Sequence, residues 1–136
     1  MNKIDLTEYA GFVDSVTSDR SKNPQDLINR INELSEQNPE LNISRLLTAG
    51  SGLAGEGGEF NDVAKKVVFH DKPWTDELHS EMVKELGDIL WYWAQGCMAL
   101  GIDPYEAVQG NIDKLSKRYP GGFDAWRSEN RAADDK

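Results

Sequence analysis

The chain has 136 residues, 38% hydrophobic and 29% charged, which suits one folded domain and excludes a chain too polar to build a core. Its 24 acidic against 15 basic residues give a net charge of −9, the wrong sign for non-specific nucleic-acid binding. No apolar run is long enough to span a bilayer, the start MNKIDLTEY lacks a signal-peptide core, and the single Cys97 excludes an internal disulfide and a multi-cysteine zinc site. The expectation is a cytoplasmic protein with no membrane or nucleic-acid partner. An anionic substrate would need metal ions or a local basic patch to approach it.

Helical periodicity dominates from the N-terminus onward. Leu6, Tyr9, Ala10, Val13 and Val16 share one stripe, which predicts a first helix from Leu6 to Val16. Asn23-Pro24 is a cap followed by proline at the first helical position, and Leu27, Ile28, Ile31 and Leu34 form the next stripe, ended by Asn38-Pro39. A third helical segment runs from about 44 to 69. Pro73 breaks the chain, and Thr75 caps a fourth helix that reaches about Leu100, where Gly101 stops it. Asp103-Pro104 opens another helix to about Arg118. The turn Tyr119-Pro120-Gly121-Gly122 follows, then a short amphipathic piece from 123 to 127 and a polar tail, 128–136, expected to fray. No segment alternates apolar and polar residues as a strand would. The pattern predicts an all-α protein, a bundle of four or five helices, with one domain over 1–127 and its motif-bearing core at about 44–123.

Within the third segment, GSGLAGEGGEF carries two competing patterns. Gly50-Ser51-Gly52-Leu53-Ala54-Gly55 fits the G-x-G-x-x-G of a dinucleotide-binding turn. That turn needs a preceding strand, and NISRLLTA reads as helix; two carboxylates just beyond the glycines would also repel a pyrophosphate. The second pattern is Glu56 and Glu59, three residues apart. Gly55, Gly57 and Gly58 around them cost about 1 kcal/mol each relative to alanine in a helix interior, which suggests close approach of a neighbouring helix or a ligand.

Acidic pairs at i,i+3 are not rare here. Chance gives about four in such a chain, and six occur: Asp5/Glu8, Glu33/Glu36, Glu56/Glu59, Glu59/Asp62, Glu85/Asp88 and Asp103/Glu106. Context separates them. Glu85 and Asp88 sit in KELGDILWYWAQ, where Leu86, Ile89, Leu90, Trp91, Tyr92 and Trp93 leave little polar surface, and an uncompensated buried Asp88 would be costly. At 100° per residue the two lie about 60° apart, the geometry that Glu56 and Glu59 also have. Two such helices side by side would converge four carboxylates, which require cations to be stable, and all-oxygen ligation points to Mg²⁺ or Mn²⁺. Neither His70 nor His79 follows a glutamate by three residues, so a di-iron bundle is not indicated. From the residues alone, metal binding and a partly buried structural acid network stand level. Trp93 is expected in the core, Trp91 is left open between packing and base stacking, Trp126 and Tyr92 are further stacking candidates, and Cys97 and Met98 read as packing.

Three stretches, GLAGEGGEFNDVAKKVVFH, KELGDILWYWAQGCMALGIDPYEAV and NIDKLSKRYPGGF, resemble the MazG-like all-α nucleoside triphosphate pyrophosphohydrolases. The resemblance covers about 46–123. It implies that Glu56, Glu59, Glu85 and Asp88 bind Mg²⁺, with Mn²⁺ as a substitute. It also implies that Asn111, Lys114, Arg118 and Tyr119, from an N-x-x-K-x-x-x-R-Y-P motif, meet the substrate. Lys65 and Lys66 are weaker candidates. Gly55 and Gly57 depart from the residues common in the family.

Such enzymes cleave between the α- and β-phosphates to give a nucleoside monophosphate and pyrophosphate, a reaction that needs phosphate charge neutralised and water delivered in line. Glu59, or else Glu56, would accept the water's proton. Lys114 and Arg118, one turn apart, would clamp phosphate oxygens, with a solvated helix end as the alternative for both. Deoxynucleotides such as dGTP or dCTP fit family precedent. A fourth helix apolar nearly all round, together with the family's habit of pairing helices between subunits, implies a two-fold homodimer, with a doubled tetramer left open. The competing expectation is a non-catalytic helical module that assembles through its Trp-rich helix and has lost turnover.

Overall fold

The computed structural model describes residues 5–131, and every regular element among them is a helix. Seven occur: α1 (Leu6–Val16), α2 (Asp19–Lys22), α3 (Pro24–Gln37), α4 (Ile43–Phe69), α5 (Asp76–Leu100), α6 (Pro104–Arg118) and α7 (Ala125–Glu129). An isolated bridge between Pro120 and Gly122 is the one β-type pairing among the described residues. The all-α class is therefore as the periodicity predicts. α2 was not foreseen, because its four residues are too few to show a stripe. The last helix starts later than expected, at Ala125, because the Asp124 carboxylate caps the Arg127 amide at 2.8 Å. It carries Ser128 and Glu129, the first residues of the expected frayed tail; from 132 onward that tail lies outside the described residues. No helix among the described residues is long and apolar enough to cross a membrane.

Helix boundaries follow short-range chemistry. Asp5, Asn23, Asn42, Thr75 and Asp103 each accept a hydrogen bond from an amide of the first turn they precede, which satisfies donors that the helix leaves unpaired. Gly101 closes α5 in the left-handed conformation, φ 66°, where a side chain would be strained.

The chain divides into two compact units, residues 1–39 and 40–136. In the first, α2 packs on α3, and Lys22 reaches back to the carbonyl of Asp14 at 3.0 Å. The second is organised by α4 and α5, an antiparallel hairpin joined by the segment containing Pro73. The Asn42 amide donates to the Ala99 carbonyl at 2.8 Å, Arg45 hydrogen-bonds Gln95, and Val63 and Leu78 are buried toward the turn. Small residues line the contact: Ala49, Cys97 and Ala99 are buried, and a Cβ placed on Gly96 would meet that of Ala49 at an ordinary 3.7 Å. Ile43, Val63 and Leu78 complete this buried set, each worth about 2 kcal/mol of apolar burial. α6 lies against α5 along a groove lined by Leu90, Trp93, Ala107, Val108, Asn111 and Ile112.

Candidate metal and phosphate site

The pairing of α4 with α5 sets residues near 56 opposite residues near 85. Carboxylate oxygens of Glu56, Glu59 and Glu85 all lie within 4.8 Å of one another, with Glu56 and Glu85 half-buried and Glu59 exposed. Glu85 holds its proton more tightly than an ordinary glutamate. Burial is the largest cause, followed by the charges of Glu59 and Glu56, a hydrogen bond with Glu56 and the charge of Asp88. Asp88, exposed one turn along α5, thus acts on the cluster by charge, while its oxygens are not among the three that converge. Three carboxylates at this separation repel strongly and offer only hard oxygen donors, so the set fits a divalent cation of the Mg²⁺ or Mn²⁺ kind.

The glycines around this cluster behave differently from expectation. Among the described residues a Cβ on Gly55, Gly57 or Gly58 would meet nothing within 4 Å, so the helix approach expected there is not made by them. It is made one turn earlier, where a Cβ on Gly52 would overlap the ring of Tyr92. All of Gly50 to Gly55 lies inside α4, with no strand before it, so the dinucleotide-turn pattern is a coincidence of helical glycines.

The basic residues have separate settings. Lys66 and Lys65 both bind Asp62, at 2.5 Å and 2.6 Å, and these lysines hold the Asp62 carboxyl down at about 2. The sequence held a signal for this arrangement, since Asp62 precedes the two lysines by three and four residues on one helix. Lys114 is exposed on α6. Arg118 is half-buried, with its guanidinium 5.7 Å from the centre of the Tyr119 ring. Tyr119 ends α6, packs on Phe123 with ring centres 5.6 Å apart, and ionises more easily than an ordinary tyrosine, chiefly through a hydrogen bond with Ser128. Asn111 faces the groove shared with Leu90 and Trp93, outside the carboxylate group. Trp93 is half-buried in that groove, whereas Trp91 and Trp126 are exposed, at 54% and 70%. His70 ends α4 and is exposed.

The site is thus a helical hairpin with an acidic cluster across its two helices, followed by a helix with a basic end. The family model described as the MazG nucleotide pyrophosphohydrolase domain matches residues 45–123, which take in nearly all of α4, then α5, α6 and the turn beyond. Over 82 residues the chain is also 35% identical to Gene 37 protein of Mycobacterium phage L5, an alignment covering 59% of this chain and 71% of that protein. No solved structure matches at significance. The chain belongs to the MazG nucleotide pyrophosphohydrolase domain family.

Proposed function

We propose that this protein is a Mg²⁺-dependent nucleoside triphosphate pyrophosphohydrolase that cleaves between the α- and β-phosphates, with deoxynucleotides such as dGTP and dCTP as first candidates. The observation that carries the reading is the convergence of Glu56, Glu59 and Glu85. With Asp88 beside them, these residues would hold the cation, and Mn²⁺ would serve in its place. When bound, the cation supplies positive charge against the phosphates and lowers the cost of ionising the attacking water. Glu59 is the best-exposed carboxylate of the three and is assigned as the proton acceptor, with Glu56 next to it. Lys114 and Arg118 would bind phosphate oxygens, and Asn111 and Tyr119 would orient the rest of the nucleotide. Lys66 is a weaker phosphate ligand, since it must first leave Asp62.

The reading extends to a homodimer as the minimal unit. Leu86, Leu90 and Trp91 on α5 are 53%, 60% and 54% exposed, apolar surface that association would cover. Cys97 is a free, buried thiol, compatible with the reducing cytoplasm.

The deciding experiment measures pyrophosphate and monophosphate release from a panel of ribo- and deoxynucleoside triphosphates, with Mg²⁺ and with EDTA. Metal-dependent release of equal amounts of both products is expected from at least one nucleotide. No release from any of them overturns the enzyme assignment and returns the chain to a helical interaction module. Light scattering at low micromolar concentration tests the dimer, and an active monomer of 15.2 kDa would overturn it.

A further inference from the structure

Gly52 and Tyr92 stand apart from their neighbours in the α4–α5 hairpin. A Cβ on Gly52 would overlap Cγ, Cδ1 and Cε1 of Tyr92, so the ring rests directly on the bare backbone of α4. The overlap includes the root of the ring, which no small turn of a flexible tip would relieve. Trp91 packs edge-on against the same ring, with centres 4.8 Å apart and planes at 86°, and narrows its room to swing. Gly50, Gly55, Gly57 and Gly58 of α4 would meet nothing within 4 Å, and Gly96 of α5 would make an ordinary contact. Among these glycines, Gly52 alone is sterically required.

The position of this contact gives it a consequence. Gly52 precedes Glu56 by four residues and Tyr92 follows Asp88 by four, so the ring forms the layer one helical turn, about 5.4 Å, from Glu56 and Asp88, and about two turns from Glu59 and Glu85, each seven residues along its helix. Resting on the assignment of Glu56, Glu59 and Glu85 as the cation site, we propose that Gly52 and Tyr92 are positioning residues. The thickness of one aromatic ring on a bare helix sets the separation of α4 and α5 at which the three carboxylates can share one ion. A methyl at 52 must push the ring, and α5 with it, away from α4. Small divalent cations tolerate little change in oxygen distance, so Glu85 would be withdrawn from its partners. The two sides must match: glycine with a ring, or a methyl with a smaller side chain.

The test is titration of the metal-free 136-residue chain with Mn²⁺ alone, followed by electron paramagnetic resonance of the free ion. Thermal unfolding in EDTA runs alongside, on the parent, G52A, Y92A, G52A/Y92A and Y92F. The parent is expected to bind Mn²⁺, G52A to bind at least about tenfold more weakly, and Y92F to match the parent because the ring and not the hydroxyl sets the spacing. The double variant should recover most of the lost affinity. If G52A does not fold, the comparison of Y92A with G52A/Y92A carries the test, and the added methyl should strengthen binding. Parental Mn²⁺ affinity in G52A, or losses that simply add in the double variant, overturns the proposal while leaving the cation site standing. A parent that takes up no Mn²⁺ overturns the cation site itself, and the positioning role falls with it.

Discussion

The acidic and basic halves of the candidate site are built in different ways. Glu56, Glu59 and Glu85 come from two helices and are brought within 4.8 Å by packing of Ala49, Gly52, Gly96 and Ala99 across the hairpin. Asn111, Lys114, Arg118 and Tyr119 sit within nine consecutive positions of α6 and its cap, and their order depends on one helix alone. The acidic half is thus a tertiary object, sensitive to the spacing of α4 and α5 and electrostatically strained without a cation. The basic half is a secondary-structure object, insensitive to that spacing. A change in the hairpin should act on metal binding, and a change in α6 on nucleotide binding and turnover.

The largest expected effect comes from the hairpin. Glu85→Gln or Asp88→Asn should lower turnover by about a thousandfold or more while the fold is retained, because each removes charge that a cation needs. Steady-state kinetics with circular dichroism checks this, and parental rates in both variants would break the division at its acidic side. Arg118→Ala comes next, with kcat/KM lower by about a hundredfold, as for loss of a charged clamp on phosphate, and with Mn²⁺ affinity unchanged. A parallel loss of metal binding would show that the two halves are not separate.

A third prediction concerns pH. Glu85 titrates above the ordinary carboxylate value of 4.5, so its folded state binds a proton more readily than the unfolded chain does. Its contribution to stability is therefore full below 4.5 and lost as pH rises through the folded value. In EDTA at neutral pH, Glu85→Gln should unfold at a higher temperature than the parent, and the gap should close as pH falls into the acid range. Mg²⁺ should raise the unfolding temperature of the parent more than that of the variant. A gap independent of pH would mean that neither burial nor the neighbouring carboxylates hold the Glu85 proton.

The smallest effect is expected from Asp62, whose two lysine partners are exposed and screened. Its carboxyl lies at about 2 against an ordinary 3.8, so its contribution is present above 3.8 and lost as pH falls through about 2. Asp62→Asn should shift the unfolding temperature slightly at neutral pH, and the shift should shrink as pH falls from 3.8 through about 2. It should also free Lys66 and change kcat/KM by no more than a few-fold. A loss as large as that of Arg118→Ala would move Lys66 from the margin of the site to its centre.

Much of this was legible in the chain itself. The helix from Leu6 to Val16, the Thr75 and Asp103 caps and the Gly101 stop depend on groups within about one turn of each other, which a linear pattern records completely. The glycines around Glu56 and Glu59 and the apolar run around Glu85 and Asp88, rather than their spacing, marked the acidic residues, and the order of the motifs marked the family. What the sequence could not decide was which of four acids converge, since i,i+3 spacing fixes a face of one helix and not the distance to the next. The chain's glycines raised the same difficulty: Gly52, Gly55, Gly57 and Gly58 look equivalent as letters, yet only the first lies under a ring. That distinction rests on where Tyr92, forty residues away, is carried by the antiparallel hairpin, and steric overlap between distant segments exists only once the helices pack.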